Sequence, residues 1–169
     1  AWRATHLYPR EVALHFAVGT VLFYRHDTWH RGTPLRAGAR RLVHMHGALN
    51  SALCAACGKA APWSGALSPG TACAGCAAPR LRPDIVFFGE MPYEMDRIYD
   101  AIAEADLFVS IGTSGAVYPA AGFVQTAREA GARTIELNLE PSAGSALFDE
   151  SRMGPATRLV PDLVRELLQ

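Results

Sequence analysis

The chain has 169 residues, 16 Lys plus Arg against 16 Asp plus Glu, and a formal net charge of zero. Half of its residues are hydrophobic and 19% are charged, which is enough to build a buried core and excludes a disordered chain. Zero net charge excludes a general nucleic-acid binder and a polybasic membrane-surface protein, because both need an excess of Lys and Arg.

In chain order, the longest apolar stretch, Val12 to Tyr24, is interrupted by His15 and Gly19. It falls short of the ~20 residues of a spanning helix, so no membrane partner is expected. Ala1-Trp2-Arg3-Ala4-Thr5-His6 lacks both an initiator Met and the features of a secretory signal. A cytoplasmic location follows as the expectation, and there cysteines serve as metal ligands more often than as disulfides. Asn50 to Arg82 is rich in Ala, Gly, Pro and Cys and shows neither helical nor strand period, so it needs a staple to fold.

Ile85 to Phe88 reads as a strand, and Tyr93 to Ala105 as an amphipathic helix with Met95, Ile98, Tyr99 and Ile102 on one face. Leu107 to Ile111 is a short apolar run stopped by Gly112, the pattern of a buried parallel strand. A helix is predicted over Val117 to Ala130 with Gly131 at its C-cap, then a strand over Arg133 to Leu139. Thr157 to Val160 reads as a further short strand, and Pro161 opens a closing helix, Asp162 to Leu168. Alternating strands and helices predict an α/β fold with an open, doubly wound parallel sheet.

Four cysteines supply the staple. Cys54-Ala55-Ala56-Cys57 and Cys73-Ala74-Gly75-Cys76 form two C-x2-C pairs with fifteen residues between them. Four thiolates at ~2.3 Å in a tetrahedron make a closed, structural zinc site, and no fifth ligand is suggested. Free buried cysteines or a redox pair are the alternatives. A zinc ribbon by itself occurs in enzymes and interaction modules alike.

The cysteine pairs sit inside a longer series of motifs. Val43-His44-Met45-His46-Gly47 precedes them; Arg82-Pro83-Asp84-Ile85-Val86-Phe87-Phe88-Gly89-Glu90, Ile111-Gly112-Thr113-Ser114-Gly115 and Glu136-Leu137-Asn138-Leu139-Glu140-Pro141 follow. In this order they closely resemble the sirtuins, NAD-dependent protein-lysine deacylases. With Tyr118-Pro119-Ala120-Ala121-Gly122-Phe123 and Gly154-Pro155-Ala156, they look most like the bacterial class III branch of deacetylases and desuccinylases. The resemblance runs from Leu42 to Gln169.

The resemblance implies an open parallel Rossmann-like sheet, incomplete at the N-terminus, formed by residues 1–49 and 83–169, with a zinc-ribbon insert over 50–82. It implies that His46 is the catalytic base, taking a proton from a ribose hydroxyl of NAD, a task that suits an imidazole. Read without the family, His46 is a core or capping histidine, with His44 as its competitor two residues earlier on a strand. Gly112, Thr113 and Ser114 would contact NAD, and Asn138, Leu139 and Glu140 its adenosine end; an ordinary turn and a capped strand exit are the plain alternatives. Ala156 would line the adenine pocket. Val86, Phe87, Phe88, Gly89 and Glu90 would pair with the substrate peptide as an added strand, with one Phe in the core and the other toward the acyl-lysine.

The implied reaction couples NAD, as co-substrate, to an acylated lysine. The acyl oxygen displaces nicotinamide, and the acyl group passes to ADP-ribose with the lysine freed. One zinc would hold the small subdomain in shape. The expected partners are acylated proteins or peptides, and a monomer is expected.

The first thirty-six residues diverge from the family. The Gly-Ala-Gly-x-Ser loop that cradles the NAD pyrophosphate is not found, and Gly19 and Gly32 stand isolated. Asp27-Thr28-Trp29-His30-Arg31 occupies the place of Thr-Gln-Asn-x-Asp. Ala1-Trp2-Arg3 matches at most the end of the Tyr-x-x-Arg pair that class III members place against an acidic acyl group. The expectation is a chain lacking the N-terminal part of a larger domain. The alternative function is a catalytically inactive, truncated module that keeps the zinc ribbon and part of the NAD or peptide site.

Overall fold

The computed structural model describes residues 20–24 and 43–169. The expectations placed on the Val12 region, Asp27–Arg31, Arg36–Ala39 and Trp2-Arg3 lie outside the described residues. In chain order the elements are β1 (Thr20–Tyr24), β2 (Gly47–Cys54), β3 (Ala60–Pro62), β4 (Leu81–Ile85), α1 (Met95–Ala103), β5 (Leu107–Ile111), α2 (Phe123–Glu129), β6 (Arg133–Asn138), β7 (Glu150–Met153) and α3 (Ala156–Leu167). They fall into two units, one of Leu42–Asp96 and one that joins β1 to Arg97–Gln169, with the boundary inside α1. The smaller unit thus extends past the Cys-rich stretch 50–82 on both sides, because the strands of its sheet begin and end outside that stretch.

The larger unit is a Rossmann-like α/β layer built on a four-stranded sheet of order β1-β5-β6-β7. Every pairing in it is parallel. Among the described residues this order follows the sequence, without the reversal that a doubly wound sheet contains. Val109, Ile111, Ile135 and Leu137 point to one face and form a core with Leu159 and Leu163 of α3. On α1, Ile98 and Ile102 are buried and Tyr99 meets Phe123 edge-on, with ring centroids 5.6 Å apart. Among the described residues no helix is long and apolar enough to cross a membrane.

Three predicted elements differ from the structure, and one of them, the strand expected over Ile85 to Phe88, is β4 displaced to Leu81–Ile85. Thr157–Val160 is not a strand but the first turns of α3, which runs through Pro161. Leu159 and Leu163, four residues apart, lie on one helix face, and their shared burial holds both halves in one helix despite the proline. The strand that pairs with β6 is instead β7, polar over Glu150, Ser151 and Arg152. Arg152 of β7 donates to Glu150 (2.6 Å) and, as a fork, to Glu166 of α3 (2.8 and 2.7 Å).

The helix predicted from Val117 begins later, as a 3-10 turn over Ala120–Gly122 followed by α2. Pro119 disfavours helical backbone at the residue before it. Its predicted end holds. Gly131, at φ +90°, donates to the Arg128 carbonyl (2.9 Å), and Ala132 donates to that of Ala127 (2.9 Å), the pair of bonds of a Schellman cap.

The smaller unit is an antiparallel sheet of order β3-β2-β4. Residues 50–82 therefore contain strand, contrary to the sequence reading. A register shift between Ala48 and Ala52 interrupts the alternation of β2 and hides its period. Among the described residues of this unit, the buried apolar side chains are Met45, Ala52, Cys54, Cys73 and Pro92, so two of the five are cysteine.

Candidate functional site

Cys54 ends β2, and Cys57 follows in the next turn; Cys73 and Cys76 belong to a second turn of the same design. In the first, Cys54 N–H donates to Lys59 C=O (2.9 Å) and Gly58 N–H to Cys54 C=O (2.8 Å). In the second, Cys73 N–H donates to Ala78 C=O (2.9 Å) and Ala77 N–H to Cys73 C=O (2.8 Å). The two knuckles bring all four Sγ atoms within 4.8 Å of one another. Cys54 and Cys76 sulfurs lie 3.7 Å apart, and those of Cys57 and Cys73 3.9 Å. A tetrahedron with metal–sulfur bonds of ~2.3 Å has edges of about 3.8 Å. The donor set fits a tetrahedral site of four thiolates.

Electrostatics agree with the geometry. The amides of Cys57 and Ala56 aim at Cys54 Sγ and hold its thiol down at about 6. The Ala78 amide favours the Cys76 thiolate, yet the neighbouring sulfurs, Cys54 first, push Cys76 up to about 11. Four thiolates so close repel one another, and a cation at their centre removes that repulsion.

The equivalent position of each knuckle carries left-handed backbone: Gly58 at φ +69° and Ala77 at φ +57°. Glycine adopts this conformation freely, whereas a Cβ costs ~1–2 kcal/mol there. Ala77→Gly is expected to stabilise the protein by about 0.5–1 kcal/mol after glycine's entropic cost. Gly58→Ala, where a Cβ meets nothing within 4 Å, should destabilise it through φ alone. Thermal midpoints of the two variants check both signs.

His46 lies half-buried in the turn before β2 rather than on a strand, and His44 is exposed. Gly47 N–H donates to His44 C=O (2.9 Å), closing that turn, so the two histidines do not share a strand face. The main chain around His46 is fixed by Tyr93 N–H to Met45 C=O (2.9 Å) and Val86 N–H to His46 C=O (3.0 Å). Gly47 has φ +86°, and a Cβ there would stand 2.0 Å from the Asp84 carbonyl oxygen. Gly47→Ala is expected to part β2 from β4 and to cost roughly 3 kcal/mol or more, read as a fall in the urea midpoint.

The segment Val86–Glu90 follows β4 as a loop, because β4 ends at Ile85. Neither Phe enters a core: Phe87 is 47% and Phe88 98% exposed. Arg82 clasps this loop. It donates to both oxygens of Glu90 (2.5 and 2.7 Å) and to Ile85 C=O (2.7 Å), and its guanidinium lies 4.8 Å from the Phe87 ring centroid. Phe87 N–H also donates to Glu90 (3.0 Å). Glu90 is thereby engaged in holding the loop's shape. Sequence reasoning gives Arg82 no role of its own, although an Arg eight residues before Glu90 is the available signal.

The Arg82 hydrogen bonds, then the Phe87 amide, lower the Glu90 carboxyl from 4.5 to about 2. A depressed carboxyl stabilises the folded loop above its unfolded pKa and loses that contribution as pH falls toward 2. An NMR titration of the Glu90 carboxyl carbon should show a midpoint near 2, which rises toward the ordinary carboxylate range in Arg82→Ala while the Phe87 amide keeps it below that range.

In the larger unit, Ile111, Asn138 and Met153 end parallel strands at one edge of the sheet. The candidate cofactor residues follow them there, the edge where open α/β sheets bind ligands. Gly112 has φ +62°, and its N–H donates to Leu137 C=O (2.9 Å). Thr113 Oγ1 bonds Ser110 Oγ (3.0 Å), and Ser114 is exposed. Asn138 Nδ2 donates to Thr113 C=O (2.7 Å), so its side chain clamps the Gly112–Ser114 turn. Leu139 is 69% exposed, and Glu140 is exposed beside it. Ala156 opens α3, exposed, and Gly154 N–H ties that turn to Asn138 C=O (2.8 Å). Gly115, at φ +62°, packs so closely on the next loop that a Cβ would stand 2.9 Å from Gly144 N.

A parallel sheet with glycine-bearing turns at its carboxyl edge, in a chain that also carries four clustered cysteines able to hold a metal, defines a Rossmann-like α/β protein with a four-cysteine unit. The family model described as the Sir2 family matches residues 30–119, more than half of the chain, and the chain belongs to that family. It is 55% identical over 134 residues to an NAD-dependent protein deacylase of Caulobacter vibrioides (strain ATCC 19089 / CIP 103742 / CB 15), covering 79% of this chain and 56% of that protein. It is 54% identical over 134 residues to an NAD-dependent protein deacylase of Yersinia pseudotuberculosis serotype I (strain IP32953), covering 79% of this chain and 48% of that one. The chain thus spans about half the length of these relatives. Among solved structures, a Sir2 homolog–NAD complex superposes with a TM-score of 0.70 at 31% identity, covering 79% of this chain and 53% of that one.

Proposed function

We propose that this protein is an NAD-dependent protein-lysine deacylase that moves an acyl group from lysine to ADP-ribose and releases nicotinamide. The observation that carries the reading is the identity of 54–55% over 134 residues to proteins named for that activity. The family model itself spans His46, the four cysteines, Val86–Glu90 and Gly112–Ser114. NAD is the co-substrate, acylated proteins or peptides are the partners, the location is the cytoplasm, and acetyl and succinyl groups are the acyl groups to test first.

Within this reading each group has a task its surroundings suit. His46, held by main-chain bonds on either side, takes a proton from a ribose hydroxyl. Gly112, Thr113 and Ser114 hold NAD by close backbone approach and hydroxyl donors, with Asn138, Leu139, Glu140 and Ala156 toward the adenosine. Val86–Glu90, braced by Arg82, offers its main chain to the substrate peptide. Cys54, Cys57, Cys73 and Cys76 hold one zinc whose role is to give the smaller unit its shape.

The test is nicotinamide release from NAD in the presence of acetylated and succinylated peptides. Release that depends on the acylated peptide supports the proposal; release no faster than in buffer defeats it for this chain. A second reading is favoured by one observation: Asp27-Thr28-Trp29-His30-Arg31 stands where the family pattern has Thr-Gln-Asn-x-Asp. It is a module that keeps the zinc ribbon and part of the NAD or peptide site without turnover. Calorimetric NAD binding without nicotinamide release would identify it.

A further inference from the structure

Glu136 stands in the middle of β6, on the face it shares with buried Thr134 and opposite Ile135 and Leu137, and it is 1% exposed. Its register partner on β5 is Ser110, also buried. Glu136 Oε2 accepts from Ser145 Oγ (2.5 Å) and Ser151 Oγ (3.0 Å). Its Oε1 is buried with no hydrogen-bond partner among the described residues. A buried carboxylate with one oxygen unpaired is a costly choice, and an apolar side chain there would serve stability as well or better. The residue therefore does something other than stabilise the sheet.

Its contacts show what. Ser145 Oγ, held by Glu136, accepts from Ser142 N–H (2.7 Å), and Ser142 Oγ accepts from Gly144 N–H (3.2 Å). Between them, Ala143 N–H donates to Ser114 C=O (3.0 Å), and Gly144 packs against Gly115. The chain of bonds runs from the buried carboxylate, through the Ser142–Ser145 turn, to the backbone of Ser114. Asn138 clamps the same turn from its other side at Thr113.

We propose that Glu136 is a positioning residue for the ligand-binding edge: it anchors the Ser142–Ser145 turn from beneath, and that turn fixes the Gly112–Gly115 backbone for NAD. This rests on the reading of Gly112, Thr113 and Ser114 as NAD contacts. Burial acts to raise the Glu136 carboxyl, but the hydroxyls of Ser142, Ser145 and Ser151 and the Asn138 amide outweigh it and hold the group below its ordinary range. It works as an acceptor of hydroxyl protons, a role a glutamine oxygen also fills.

The experiment compares ADP-ribose binding by calorimetry, amide hydrogen exchange and thermal midpoint in Glu136→Gln, Glu136→Leu and Ser145→Ala of the full chain. Expected are near-native affinity for Glu136→Gln and a weakening of about tenfold or more for Glu136→Leu at an undiminished midpoint. Native affinity in a folded Glu136→Leu overturns the proposal. Should Glu136→Leu fail to fold, Ser145→Ala decides: weakening at an unchanged midpoint supports the proposal, and native affinity overturns it. Absence of ADP-ribose binding by the unaltered chain would tell against the NAD reading itself. Exchange at Ser142, Ala143 and Gly144 then decides the positioning role: acceleration in Glu136→Leu with native rates in Glu136→Gln supports it, and equal rates in all variants overturn it.

Discussion

Withdrawing zinc from the loaded protein is expected to unfold the smaller unit while the sheet of the larger one persists. Among the described residues the buried apolar side chains of the smaller unit are few, and Cys54 and Cys73 are two of the five. A core of that size does not offset the conformational entropy of some fifty ordered residues. Under the zinc proposal the metal would supply the difference, since apparent zinc-binding free energies in Cys-rich modules reach about 10–16 kcal/mol at neutral pH. The separate cluster of Val109, Ile111, Ile135, Leu137, Leu159 and Leu163 does not depend on the cysteines. Chelation followed by amide exchange should therefore release β2, β3 and β4 and leave β5 and β6 protected. One zinc per chain, bound in proportion to loss of the β2–β4 amides, is the expected stoichiometry. Full protection of β2–β4 after complete metal removal would contradict this account of the smaller unit.

The second large effect is chemical. His46→Ala is expected to lower acyl transfer by about 10²–10⁴-fold, the usual contribution of a positioned general base. The backbone that carries His46 is fixed by bonds from Tyr93, Val86 and Gly47, none of which involves the imidazole. Zinc content and the urea midpoint should therefore stay near those of the unaltered protein. His44→Ala, at an exposed position two residues earlier, should change turnover little. Equal losses in the two variants would point to a structural role for the segment instead of base catalysis at His46.

How far these features can be read in advance depends on how local their signals are. The cysteine pairs are visible because each knuckle is closed by bonds within a few residues, so spacing alone carries the geometry. β5 and β6 are visible because each is a short, continuously buried run, and α1 because Ile98 and Ile102 recur at helical spacing. β2 is hidden by its register shift, and β7 by its polar side chains, whose partners Glu136 and Glu166 are remote in sequence. α3 splits in two on paper because Pro161 outweighs the Leu159–Leu163 face there. The positions of the candidate residues at strand ends are legible; their occupations are not. Asn138 reads as a ligand contact, while its bond to Thr113 C=O is not readable in advance, and Glu136 reads only as part of a strand. A charged residue inside a short buried strand is the available clue.

Product identity tests the central claim most directly. Incubation of the chain with NAD and an acylated-lysine peptide, analysed by mass spectrometry, should yield one nicotinamide and one acylated ADP-ribose for each lysine freed. Lysine freed without consumption of NAD, or NAD cleaved while the peptide keeps its acyl group, would contradict the reading of this chain as an NAD-dependent deacylase.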